Sequence, residues 1–133
     1  MNYNSDMKKA ARRNFQAAEE LLNTHRKDVA GYLYGLAAEC AIKAAMSKSG
    51  MRPLAPTERR NDPFYAHFET LKTLLRDTTS GRRGTELRLY SENSAFMQHW
   101  DTSMRYSDGK AIQDKWIVRW RNDAVQAIAI MDN

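Results

Sequence analysis

The sequence has 133 residues, with 21 Lys and Arg against 16 Asp and Glu, for a formal net charge of +5. That length is one domain's worth, and with a mean hydropathy of −0.72 no apolar run approaches the ~20 residues of a membrane-spanning helix. A single cysteine excludes an internal disulfide and a cysteine-based zinc site, and the N-terminal MNYNSDMKKAARR lacks an apolar signal segment, so a cytoplasmic protein is expected.

Ser5 is the expected N-cap of a first helix running to about Asn23. Met7, Ala11, Phe15, Ala18 and Leu22 recur at helical spacing as its inward stripe. Lys8 and Arg12 share a face one turn apart, as do Lys9 and Arg13. Residues 23–27 are a short connector, and Asp28 is expected to cap the next helix. So short a link between long helices implies an antiparallel hairpin.

The stretch Gly31–Met46, GYLYGLAAECAIKAAM, is apolar nearly all round and free of proline, which predicts a buried central helix. Helical spacing puts Leu33, Leu36, Ala37, Cys40 and Ala44 on one side, with Cys40 as a small core residue. The polar strip is narrow: Glu39 and Lys43, four residues apart, with Tyr32 beside them. A carboxylate near a core must be paired or protonated. Lys43 and Arg105 are the candidate partners, and a structural pair between Glu39 and Arg105 is expected. The alternative is that the strip faces solvent.

The segment Met51–Tyr65 holds all three prolines, Pro53, Pro56 and Pro63, and the pair Arg59-Arg60. It is expected to be irregular. His67 opens a short amphipathic helix with Phe68, Leu71, Leu74 and Leu75 inward, ended by residues 78–81. A fourth helix is expected from about Gly84–Thr85, carrying Leu87, Leu89, Tyr90, Phe96 and Met97 and reaching Trp100. Asp101–Gly109 is turn-like. A last helix runs from about Lys110 to Ile130 with Trp116, Trp120, Ala124, Ala127 and Met131 in one stripe. No stretch alternates with period two. The fold class is therefore all-α, an up-and-down bundle of four or five helices in one domain spanning residues 1–133.

The basic residues cluster at Lys8, Lys9, Arg12 and Arg13; at Arg59 and Arg60; at Arg82, Arg83 and Arg88; and at Arg119 and Arg121. Such clusters suit a polyanionic partner or merely a solvated cationic face. The three histidines, His25, His67 and His99, show no metal-ligand spacing. No phosphate-binding glycine loop or nucleophile turn is present, and no cofactor is implied.

The order of these features resembles the HEPN superfamily of small α-helical domains. The features are a helical hairpin with a Glu-Cys-Ala-Ile-Lys core (Glu39–Lys43), an irregular loop, a short helix opening at His67, Trp-x4-Arg-Tyr (Trp100, Arg105, Tyr106), and a long last helix. The resemblance implies a four- or five-helix bundle, often a homodimer. It also implies one of three roles. Some members are metal-independent endoribonucleases of toxin–antitoxin, phage-defence and CRISPR systems. Others are partners of minimal nucleotidyltransferases, and others are noncatalytic binding modules. The ribonuclease members carry Arg-x4-6-His near the start of a late helix.

Here that motif is degenerate. Arg121-Asn122 matches its start, but Gln126, Ala127 and Ile128 stand where histidine would fall, and glutamine cannot exchange a proton near neutral pH. Arg60 and His67 have the spacing elsewhere, across the proline loop, and are the remaining catalytic candidates. The expected function is thus a noncatalytic RNA- or nucleotide-binding module. Arg59, Arg60, Arg82 and Arg83 would contact phosphates, and Arg121, Asn122 and Gln126 would remain of the degenerate site. The alternatives are an active ribonuclease and a protein-interaction subunit working with a nucleotidyltransferase or antitoxin.

Overall fold

The computed structural model describes residues 3–78, Leu87, Tyr90 and 92–133. Its α-helices are α1 (Met7–Asn23), α2 (Lys27–Lys48), α3 (Phe68–Thr78) and α4 (Asp114–Asp132), with 3-10 turns at Pro56–Asn61, Pro63–Tyr65 and Thr102–Tyr106. No strand occurs among the described residues, and the chain is an all-α bundle. Leu87, Tyr90 and Glu92 are helical, as expected of the fourth helix, whose expected start lies outside the described residues, but that helix does not reach Trp100: residues 94–99 form turns, with Met97 (φ 53°) and His99 (φ 71°) in the left-handed region.

The bundle is built around α2. Both α1 and α4 pack along it, and they meet each other far less. Glu19 faces Arg121 and Arg12 faces Asp132, so α1 and α4 are antiparallel. Gly31 faces Trp120 and the Lys48 ammonium donates to the Asn133 carbonyl, so α2 and α4 are parallel. Burial on α2 covers Tyr34, Ala37, Ala38, Ala41, Ile42, Ala45 and Met46.

Within the expected apolar stripe only Ala37 is fully covered. Leu33, Leu36, Cys40 and Ala44 are only partly buried and pack at the edge of the core. The reason lies in two glycines one turn apart. A Cβ on Gly31 would stand 2.9 Å from Trp120 Cζ3, and one on Gly35 would stand 2.0 Å from Trp100 Cε2. These notches let two indoles lie directly on the α2 backbone, so the best-covered face is the one with the smallest side chains. The Trp100 Nε1–H donates to the Tyr32 carbonyl at 3.3 Å, and its ring stacks on Tyr32 at 5.4 Å. The Trp120 Nε1–H donates to the Gln98 carbonyl at 2.9 Å.

Two caps differ from expectation by a short register shift. Asp6, not Ser5, caps α1, because its carboxylate reaches the Lys9 N–H at 3.0 Å. Asp28 lies inside the first turn of α2 rather than before it, and Arg26 is the N-cap. Asp28 still suits the positive helix end, and the Arg26 guanidinium beside it holds its carboxyl below the usual range.

The proline segment is more ordered than its composition suggests. Asp62 is 1% exposed and accepts from the Leu54 N–H at 2.8 Å and the Phe64 N–H at 3.0 Å. Pro63 follows it as the first residue of a 3-10 turn, where a missing N–H costs nothing.

Candidate acid–base and anion-binding site

Glu39 sits midway along α2 with its side chain 6% exposed, as the sequence predicts. Its partner is His67, not Arg105. His67 Nδ1 lies 2.8 Å from Glu39 Oε1, and Lys43 Nζ approaches the same oxygen at 4.0 Å. The expected Glu39–Arg105 pair does not form. Trp100 docks on Gly35 and Tyr32, and the 3-10 turn that follows carries Arg105 outward, where its guanidinium lies 5.0 Å over the Tyr106 ring. His67 takes the role instead, at the start of α3, where its carbonyl accepts from the Leu71 N–H.

The cluster is asymmetric with respect to water. Lys43 is 8% exposed and His67 is 56% exposed. A ring N–H on Nδ1 donating to the carboxylate leaves Nε2 as the free heteroatom, the arrangement in which a carboxylate orients an imidazole for proton exchange. His67 borders a small cleft of about 110 Å³ with Phe68, Thr70, Trp100, Asp101 and Thr102. The Asp101 carboxyl is held below its usual range, chiefly by the Ser103 backbone N–H it accepts at 2.7 Å and in smaller part by His67. No hydrogen bond, ion pair or ring contact joins Arg60 to His67, so the structure leaves that spacing match without a shared site.

A second carboxylate cluster accounts for Arg121. Its Nε donates to Glu19 Oε1 at 2.5 Å and its Nη2 to Glu19 Oε2 at 3.2 Å, while the Tyr34 hydroxyl donates to Glu19 Oε1 at 2.8 Å. The Arg121 hydrogen bonds hold the Glu19 carboxyl below its usual value, and burial with the Glu19 contact pushes the Tyr34 hydroxyl well above its own. The degenerate-motif arginine is thus a clamp between α1 and α4. Asn122 and Gln126 are exposed one turn apart on α4 and have no side-chain hydrogen bond to Arg121.

The arginines of the proline loop are placed differently. Arg52, Arg59 and Arg60 are exposed, and none forms an ion pair with a carboxylate of the described residues. Arg52 donates to the Ser47 and Met51 carbonyls, and the Arg59 guanidinium lies 4.7 Å over the Tyr65 ring. Arg82 and Arg83 lie outside the described residues. Among the described residues no cluster of His, Cys, Asp and Glu could hold a metal ion, and no helix is long and apolar enough to cross a membrane. Burial pushes the Cys40 thiol up, away from a reactive thiolate.

Two features were missed in the sequence. Asp62 carried a readable signal, an Asp directly before Pro at a turn start. The spacing Gly31-x3-Gly35 signalled a close approach but not by what. No family model, curated protein or solved structure matches the chain.

Proposed function

We propose that this chain is a HEPN-like module that binds RNA or nucleotides without cutting them through its last helix. The observation that carries the reading is the contrast among its arginines. Arg121 is clamped by Glu19, whereas Arg52, Arg59 and Arg60 stand exposed, without carboxylate partners, on a loop fixed by buried Asp62. Exposed guanidiniums on a fixed backbone can meet phosphates with little ordering cost.

The test is fluorescence anisotropy with labelled single-stranded RNA at two salt concentrations. Three phosphate contacts give a slope near −2 in log affinity against log salt, so about 20-fold weaker binding from 50 to 200 mM. An affinity indifferent to salt would contradict the proposal.

The Glu39–His67 pair favours one second reading, an endoribonuclease that uses the imidazole as its proton-exchanging group. Incubation with structured RNA separates the two: cleavage by the native chain that is lost in His67→Ala would establish the second reading and overturn the first.

A further inference from the structure

The bundle end remote from the α1–α2 connector holds a cavity of about 510 Å³, separate from the His67 cleft. Its lining comes from four parts of the chain: Lys8 of α1, Ala44 and Lys48 of α2, Phe64 and Tyr65 of the proline loop, and Met131 of α4. That volume falls within the range of small-molecule sites, and the combination of apolar floor and few polar groups is their usual character.

The wall of this cavity is preformed at a cost. Asp62 is buried, and the two N–H groups it accepts, Leu54 and Phe64, fix the backbone that presents Pro53, Phe64 and Tyr65 to the cavity. Burying a carboxylate is unfavourable unless it is hydrogen-bonded, and a mere connector from α2 to α3 would not need one. The Arg59 guanidinium over Tyr65 steadies the ring and adds positive charge beside the mouth.

The chemistry of the lining defines the occupant. Ala44, Phe64 and Met131 provide an apolar surface, and Lys8 and Lys48 are its two cations, the Lys48 ammonium giving one of its three N–H donors to the Asn133 carbonyl. Asp132 already has Arg12 at 2.5 Å, and Lys8 approaches it only at 3.8 Å with more than half of its side chain exposed. Lys8 can therefore turn to a second anion without leaving Asp132 unpaired. We propose that this cavity binds a small amphipathic monoanion, its apolar body on Ala44, Phe64 and Met131 and its carboxylate or sulfonate head against Lys8 and Lys48. The site shares the Asp62-fixed loop and Arg59 with the RNA-binding reading, but its anion contacts, Lys8 and Lys48, are not among the arginines of that reading.

The experiment titrates the native chain with anilinonaphthalene sulfonate by fluorescence and then competes it with decanoate and with naphthoate. The expected result is saturable binding at a single site per chain, displaced by at least one competitor. Displacement by decanoate indicates an acyl ligand and by naphthoate an aryl one. The surface variant Lys8→Gln/Lys48→Gln should weaken dye binding about tenfold, and Ala44→Phe should abolish it. Uncharged phenylnaphthylamine should not sense the lysine changes. Unsaturable binding, failure of both competitors, or a double-lysine variant that binds like the native chain would overturn the proposal. The lysine variant decides the matter even if Ala44→Phe does not fold.

Discussion

The two carboxylate clusters flanking α2 use the same parts to opposite ends. Glu19 takes Tyr34 and Arg121 in a network whose donors all serve to hold α1, α2 and α4 together. Glu39 takes a buried lysine on one side and, on the other, an imidazole that reaches water. In the first, the Tyr34 hydroxyl and two Arg121 N–H groups all point at Glu19, although Arg121 is half-exposed; the second ends in a ring nitrogen at the surface. The lesson is that a charged residue on a helix says little until the exposure of its partner is known. Arg121, the residue a motif search selects, is structural, while the outward group is His67.

The largest effect is expected from breaking the Glu39 cluster at its root. Glu39→Gln leaves Lys43 buried without an opposite charge and should cost about 3 kcal/mol in denaturant unfolding. A loss below about 1 kcal/mol would show that the cluster is effectively solvated.

Next in size, Gly35→Ala drives a methyl into the Trp100 indole and should cost about 2–3 kcal/mol by overpacking. Gly31→Ala meets Trp120 at a longer distance and should cost less. Trp100 also lines the His67 cleft, so only the Gly35 variant should shift the His67 ring signals in NMR spectra. Equal costs would mean that the two notches are not distinct.

Arg121→Gln removes the Glu19 cluster's clamp, a half-exposed pair, and should cost about 1 kcal/mol. Its pH dependence has a definite sign. The Glu19 carboxyl is depressed in the fold, so its stabilisation is full above the ordinary glutamate pKa near 4.5 and is lost as pH falls through its lowered value. The variant should therefore have a flatter acid limb in its stability curve than the native chain.

The smallest effect separates a third carboxylate from both clusters. Burial raises the Asp123 carboxyl, although it accepts from the Met97 N–H at 2.8 Å. A raised carboxylate opposes the fold at neutral pH and is relieved as pH falls through its folded value. Asp123→Asn keeps an acceptor and removes the charge, so its stability at pH 7 should change by no more than about 0.5 kcal/mol, and upward if at all. A large loss would show that the ion itself is needed.

Periodicity made α1, α2 and α4 legible, because long apolar stripes bounded by turn residues leave few alternatives. Burial of Glu39 was legible for the same reason, since α2 is apolar on almost every side. Its partner was not, because Arg105 and His67 are both distant in sequence and only the docking of Trp100 on Gly35 excludes one of them. Which face of α2 is best covered was also not legible. Hydrophobicity ranks Leu33 and Leu36 above Gly31 and Ala38, whereas close packing of large rings selects the small side chains. The order in the proline segment hung on one side chain, Asp62, whose place before Pro63 marks a turn start but not its burial.

The central claim is that phosphates are met by the proline loop and not by the last helix. RNA affinity of Arg59→Gln/Arg60→Gln and of Arg121→Gln, measured by anisotropy at one salt concentration, tests it directly. The account predicts about tenfold weaker binding for the loop variant, with a shallower salt slope, and native affinity for Arg121→Gln. Native affinity in the loop variant with a loss in Arg121→Gln would contradict it.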